Sequence, residues 1–291
     1  MNGDLFAYLN EWMPKISKGH KKIAQYILAH YDKAAFMTAA KLGETVGISE
    51  STVVRFASEL GFDGYPGLQK ALQEAMRNKL TAVQRIEVSS LDQLGDGEVF
   101  KRVLLHDIEH IRHTLEETAM DQFNSAVDHI VKSKHVYVMG VRSSSALASF
   151  MAYYFKLMLP EVTLVQTGSR SELYEQILRI GEGDVMIGIS FPRYSKQTVH
   201  AITYAHNNGA KSIAITDSLE SPIAANADNV LVARSDMVSF VDSLVAPLSL
   251  INALIVAVSI KNKEMVSSNF SMLEKIWEEY DVYEKNGETS K

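Results

Sequence analysis

Thr38–Leu72, TAAKLGETVGISESTVVRFASELGFDGYPGLQKAL, is the stretch that decides how this chain folds. Thr38 is an N-cap for a helix over Ala39–Val46 whose Leu42 faces inward. Gly47 tolerates the positive φ of a tight turn, and Ile48 plugs that turn from inside. Ser49 caps a second helix over Glu50–Leu60, with Val53, Val54, Phe56 and Leu60 on its buried side and Gly61 at its end. Two short helices around such a turn have the shape of a helix-turn-helix DNA reader. In that arrangement the start of the second helix faces the major groove, which singles out Ser49, Ser51, Thr52 and Arg55. Small hydroxyls allow close approach, an arginine reaches a guanine or a phosphate, and free helix N-terminal amides favour a phosphate. Tyr65 and Lys70, around the loop FDGYPG, are expected to clamp the DNA backbone. A small helical bundle with a solvated polar face fits the same pattern, and no single residue decides between the two.

Upstream, Leu5–Met13 has apolar residues at helical spacing, Pro14 interrupts it, and Ser17 caps a helix carrying Ile23, Ala24, Ile27 and Leu28. Charge separates this head from the rest. Residues 1–85 carry 11 Lys/Arg against 8 Asp/Glu, whereas the remainder carries 18 against 27. The formal net charge of -6 therefore hides a positive head and a negative body, which face different partners. Phosphate affinity grows with the number of charges neutralised, so an excess this small calls for more than one copy of the head on DNA.

At 291 residues the chain is long enough for two cores. It has no cysteine, which excludes disulfides and thiolate metal sites and suits a reducing compartment. MNGDLFAYLNEW lacks the basic region and long apolar run of a secretory signal. The most apolar stretch, Val238–Ile260, is interrupted by Asp242, Pro247, Ser249 and Asn252, and reads as a buried or interface helix rather than a membrane span.

After the head, Leu72 to about Arg85 continues helically, and VSSLDQLGDG (Val88–Gly97) reads as a linker. Helices are expected over Val99–Met120 and Asp121–Ser133. His106, His110 and His113 share one face of the first of these. That spacing invites a metal, but histidines on the solvated face of a soluble helix are the more economical reading, so no metal site is expected.

Five strand-like runs follow: His135–Gly140, Val162–Val165, Asp184–Ser190, Lys211–Asp217 and Asn229–Ala233. Helical patterns separate them near Ser144–Leu159, Glu172–Leu178, Ser195–Asn207 and Pro222–Ala227, and Val241–Val258 is the last long core helix. Apolar strands alternating with helices imply a parallel sheet covered on both faces. Ligands bind such sheets at the carboxyl ends of the strands. Those ends carry Gly140 to Ser145, Thr167 to Arg170 and Ser190 to Ser195, including Arg142, Ser143, Ser144 and Arg193. Hydroxyls, amides and arginines there suit a phosphate, although Ser143 and Ser195 also suit helix capping. GVRSSS is neither a Gly-rich dinucleotide loop nor a P-loop, so no nucleotide cofactor is expected. Glu172, Glu175 and Asp217 are the possible bases if the pocket catalyses. No Ser-His-Asp or metal constellation forces that reading.

Taken together and in this order, AAKLGETVGISESTVVRFASELGFDGYPGLQKAL, GVRSSSALA, GISFPRYSKQTV and SPIAANAD make the chain resemble bacterial transcriptional regulators of the RpiR family. These join an N-terminal helix-turn-helix domain to a C-terminal SIS (sugar isomerase) domain. The resemblance implies a recognition helix at Ser51–Leu60 and a phosphate cradle at Ser143, Ser144, Ser190 and Ser195 with Thr198 nearby. It implies operator DNA and a phosphorylated sugar or amino sugar as partners, self-association as a dimer or tetramer, a cytoplasmic location and no catalytic residue. Many SIS proteins carry a Ser-x-Ser-Gly-x-Thr loop after the third strand. Here Pro192 replaces the second hydroxyl and Arg193 the glycine, which narrows the loop's backbone freedom and adds a cation. A more acidic ligand, another binding mode and a pocket without a free ligand all stay open.

The expected organisation is an all-α helix-turn-helix head over residues 1–85, a linker and connecting helix over 86–120, an α/β three-layer sandwich with a five-stranded parallel sheet over 121–285, and a polar tail over 286–291. Movement across residues 88–120 would carry pocket occupancy to the DNA-reading heads. A sugar-phosphate isomerase with an accessory helical domain is one alternative function. A sugar-phosphate-binding protein whose head grips another protein is the second.

Overall fold

The computed structural model describes residues 5–76, 94–237 and 241–283. The expected linker 88–97 falls mostly outside these residues, as do the helical continuation past Met76, the start of the apolar stretch at Val238 and the tail from Asn286. The chain divides into two compact units, Met1–Val99 with Met237–Asp242, and Phe100–Asp236 with Ser243–Lys291.

The first unit is helical: Leu5–Trp12, a 3-10 turn at Met13–Lys15 holding Pro14, then Lys18–Ala29, Tyr31–Ala34, Ala39–Val46, Glu50–Glu59 and Gly64–Met76. Leu9, Ile23, Ile27, Leu42, Phe56, Leu60, Leu68 and Leu72 are fully buried in one core. The turn between Ala39–Val46 and Glu50–Glu59 closes by two bonds, Gly47 N–H to Glu44 O and Ile48 N–H to Gly43 O, with Gly47 at φ 71. Gly43 is needed for a different reason. A Cβ there would lie 2.8 Å from the Ile48 carbonyl oxygen, so only glycine lets the turn fold back so closely. Val54 departs from expectation and lies on the exposed side of its helix.

The second unit contains helices Asp96–Glu117 (from Phe100 on) and Met120–Lys132, followed by a sheet. Its strands are β1 (Val136–Gly140), β2 (Val162–Val165), β3 (Val185–Ile189), β4 (Lys211–Thr216) and β5 (Asn229–Val232). The order is β2-β1-β3-β4-β5 and every pairing is parallel. Parallel neighbours need crossovers, and the intervening chain supplies them as helices Ser143–Met158, Arg170–Gln176 and Lys196–Asn207 and a 3-10 turn at Ala224–Asn226. Only that short turn forms where a helix over Pro222–Ala227 was expected.

Strand side chains alternate between two cores. Val136, Val138, Val185, Ile187, Ile213, Ile215 and Leu231 pack against helices Met120–Lys132, Ser143–Met158 and Val245–Lys261. Tyr137, Met139, Met186 and Ala214 pack on the other face with Leu173, Ile177, Ala201, Ile202 and Ala205. Burial on both faces explains why the strands read as apolar runs rather than alternations. A further helix, Lys263–Glu279, follows the apolar Val245–Lys261 and was not foreseen; its surface is largely exposed. Among the described residues no single helix is long and apolar enough to cross a membrane.

Candidate functional site

The head presents a hydroxyl cluster at the start of the helix Glu50–Glu59. Ser49 stands at the N-cap but makes no bond to a backbone amide there. Its Oγ instead lies 3.0 Å from Ser51 Oγ and 2.8 Å from Thr52 Oγ1. The Thr52 amide donates to the Ser49 carbonyl at 3.0 Å, and the Glu50 and Ser51 amides ahead of it keep their capacity for an anion. Arg55 is exposed one turn further on, its Nε donating to the Ser51 carbonyl at 3.3 Å. Lys70 is exposed on the next helix.

Tyr65 requires a correction. It is buried, and its hydroxyl donates to the Met37 carbonyl at 2.8 Å, so it anchors the core instead of clamping a DNA backbone. Burial pushes its phenol pKa up to about 12. One and two turns on, Gln69 and Gln73 donate to the carbonyls of Met37 and Ala35. This row at i, i+4 and i+8 satisfies backbone acceptors that the short helix Tyr31–Ala34 leaves behind. Lys18 and Lys22, which the sequence reading did not single out, are exposed. Both lie in the first two turns of the helix Lys18–Ala29, whose Gly19 packs against the Thr52 methyl, a Cβ there lying 3.8 Å from it. The run Lys18-x-x-Lys21-Lys22 was the available signal.

In the second unit β1 and β3 are neighbours although β2 comes between them in the chain. The winding reverses at that pair, and open α/β sheets form their ligand crevice at such a point. On the β1 side a Cβ on Gly140 would lie 2.3 Å from the Ser144 carbonyl oxygen, so the next helix starts directly on the strand end. Arg142 turns the chain at φ 58 and ψ -127. Ser143 is exposed and Ser144 buried. The Ser145 hydroxyl donates to the Arg142 carbonyl at 2.6 Å.

On the β3 side Ser190 is buried and its Oγ accepts from the Ser195 amide at 3.1 Å. Ser195 caps the helix Lys196–Asn207, accepting from the Thr198 amide at 3.4 Å. Thr198 is itself wholly buried, and its Oγ1 has no hydrogen-bond partner among the described residues. Arg193 sits at φ 67, the region where a glycine is at ease and another side chain is strained by about 1–3 kcal/mol. The loop thus holds a glycine's backbone shape at this position while carrying a guanidinium.

Two features here were not foreseen from the sequence. The Tyr194 hydroxyl donates to Asp217 Oδ1 at 2.8 Å, tying the β3 loop to the end of β4. Ser221, beyond β4, is buried with a second hydroxyl lacking a partner among the described residues. The possible bases are already engaged. Glu172 Oε2 accepts from the Gly168 amide at 2.9 Å and the Thr167 hydroxyl at 3.2 Å, which closes the turn after β2. Glu175 accepts from Ser171 at 3.0 Å.

A pattern described as the helix-turn-helix domain of the rpiR family matches residues 3–79, and the SIS domain matches residues 129–257. The chain belongs to the RpiR family of transcriptional regulators. It is 27% identical over 232 residues to an uncharacterized HTH-type transcriptional regulator of Haemophilus influenzae, covering 79% of this chain and 80% of that one. To HexR, an HTH-type transcriptional regulator of Escherichia coli, it is 29% identical over 215 residues, 73% of this chain and 71% of the relative. The sugar isomerase domain of an RpiR transcription factor from Sphaerobacter thermophilus superposes with a TM-score of 0.57 at 30% identity, covering 60% of this chain and 97% of that one. NanR of Vibrio vulnificus, solved with ManNAc-6P, shares the fold over 94% of this chain and 97% of its own, with a TM-score of 0.57 and 21% identity. This RpiR-family regulator therefore pairs a DNA-binding head with a SIS domain.

Proposed function

We propose that this regulator reads operator DNA with Ser49, Ser51, Thr52 and Arg55 and responds to a phosphorylated sugar or amino sugar held between the ends of β1 and β3. The observation that carries the effector reading is the Thr198 hydroxyl, buried at the first turn after β3 with no partner among the described residues. A buried hydroxyl left unsatisfied costs about 1–3 kcal/mol, which a ligand oxygen offsets. Around it, Ser143, Ser144, Ser190 and Ser195 offer hydroxyls and helix amides. Arg142 and Arg193 add charge for a dianion. On DNA, Lys18, Lys22 and Lys70 position the head on phosphates, and Arg55 supplies base contact.

The protein works as a sensor, not as an isomerase. Glu172 is held as a turn acceptor and Asp217 accepts the Tyr194 phenol, contacts that serve the loops around the crevice. Copies associate as a dimer or tetramer, for which the outward Val256 and Ile260 of the helix Val245–Lys261, 55% and 69% exposed, offer an apolar surface. Operator DNA places the regulator in the cytoplasm.

The test is binding of the purified chain to genomic fragments, repeated with a panel of sugar and amino-sugar phosphates. Selective binding that one phosphate changes, and that Thr198→Val makes insensitive to it, is the expected result. Selective binding that no phosphate alters would remove the effector reading and leave the DNA reading. Turnover of a sugar phosphate would replace both with the isomerase.

A further inference from the structure

We propose that His106, Asp107 and His110 form a binding site for a divalent transition-metal cation of the zinc class. The three residues occupy positions i, i+1 and i+4 of the helix Asp96–Glu117. His110 stands one turn from each of the others, at i+4 from His106 and i+3 from Asp107, so its side chain neighbours both. One potential ligand atom from each lies within 4.8 Å of the other two. Ligands about 2.0–2.1 Å from a tetrahedral zinc stand roughly 3.3 Å apart, so small side-chain rotations close the triangle.

The surroundings set this cluster apart from a chance group of surface histidines. His110 is buried, and its Nε2 lies 3.5 Å from an Asp236 carboxylate oxygen. The Ser243 hydroxyl donates to Asp107 Oδ1 at 2.6 Å. Outer partners of this kind orient the ligands of protein metal sites: a carboxylate on the far nitrogen of an imidazole, a donor on a ligating carboxylate. The His106 and His110 rings meet at 4.0 Å between centroids, and His106 Nδ1 is buried with no hydrogen-bond partner among the described residues. His113, which shares the helix face, stands apart. Its nitrogens face Glu109 at 4.0 Å and Glu116 at 3.6 Å, and it is not one of the three.

Two imidazoles and one carboxylate select zinc, cobalt or nickel over magnesium or calcium, which prefer oxygen alone. Asp236 and Ser243 come from the chain after β5, so a bound cation would tie the helix Asp96–Glu117 more firmly to that segment. The proposal rests on none of the sugar-phosphate pocket.

The experiment titrates Zn2+ into full-length, tag-free protein stripped with a chelator, in competition with a chromophoric chelator, and uses Co2+ as a spectroscopic reporter. One Zn2+ per chain is expected, and Co2+ should give the visible absorption of a nitrogen–oxygen site of low coordination number. His106→Gln and Asp107→Asn should each weaken Zn2+ binding at least tenfold. Ser243→Ala should weaken it about tenfold through Asp107, and His113→Gln should leave it unchanged. Circular dichroism of the metal-free variants checks that they fold, and Asp107→Asn keeps the test standing if His106→Gln does not. Less than half an equivalent bound, affinity indifferent to both ligand variants, or an equal loss in His113→Gln overturns the site.

Discussion

Ser49 and Ser195 look alike in sequence, each a serine placed just before a helix, yet the two halves of the molecule use them differently. In the SIS domain Ser195 caps its helix, and Ser190 in turn holds the Ser195 amide, so hydroxyls and amides are drawn into a closed loop. In the head Ser49 leaves its helix amides alone and turns its hydroxyl toward Ser51 and Thr52 on the surface. The proposed function accounts for the difference. A small effector needs a preorganised, desolvated cradle, whereas a DNA duplex brings its own large polar surface and needs exposed donors that adapt to it.

The largest disturbance that separates the halves is Gly140→Ala. With backbone 2.3 Å from the new Cβ, it should destabilise the SIS domain by about 3 kcal/mol. Urea unfolding of the full chain should then show that domain melting early while the head's transition stays in place. A single unchanged transition would mean that the strand end tolerates the methyl group.

Next in size are two complementary losses of binding. Arg55→Ala should weaken operator affinity roughly ten- to hundredfold and leave effector affinity as it was. Ser190→Ala leaves the half-buried Ser195 amide without its acceptor and should do the reverse, weakening the effector about tenfold with free-protein operator affinity intact. Fluorescence anisotropy for DNA and calorimetry for the phosphosugar check both, and a variant that moves both readouts equally breaks the comparison.

Tyr65→Phe is smaller and distinguishes core from clamp. Loss of the hydroxyl bond to Met37 should cost about 1 kcal/mol of head stability without changing DNA affinity. Because the folded pKa is raised from 10.0 to about 12, this group's contribution is complete below pH 10 and fades as pH rises toward 12. In Tyr65→Phe that part of the alkaline loss should disappear from a thermal-melting series against pH.

The smallest effect concerns Asp228, at the opposite end of the sheet from the crevice. Burial alone would raise its carboxyl, but hydrogen bonds from Lys211 and from the Ser212 amide and hydroxyl together bring it down from 3.8 to about 2. Its contribution is therefore full above pH 3.8 and lost as the pH falls toward 2. Asp228→Asn should flatten the acid limb of SIS-domain stability and leave effector binding untouched. Effector affinity that changed with it would show that the two ends of the sheet are coupled.

By itself the amino-acid sequence determined the classes of structure. Thr38, Gly47 and the apolar residues at helical spacing specify the helix-turn-helix, because a cap, a positive φ and a 3.6-residue period are local properties. The five apolar runs specify a parallel sheet for the same reason, and their ends named the candidate residues from Arg142 to Ser195, to which the family resemblance added Thr198. Tertiary structure alone decided which polar groups meet. Tyr65 turned inward because the carbonyls of Ala34 and Met37, some thirty residues away, needed a donor. Asp217 met Tyr194 only once β3 and β4 lay side by side. His110 and Asp107 met Asp236 and Ser243, brought in from beyond β5, while His113 faces Glu109 and Glu116 of its own helix. Periodicity reports which face of an element is buried, but the partner of a side chain depends on how elements distant in the chain pack against one another.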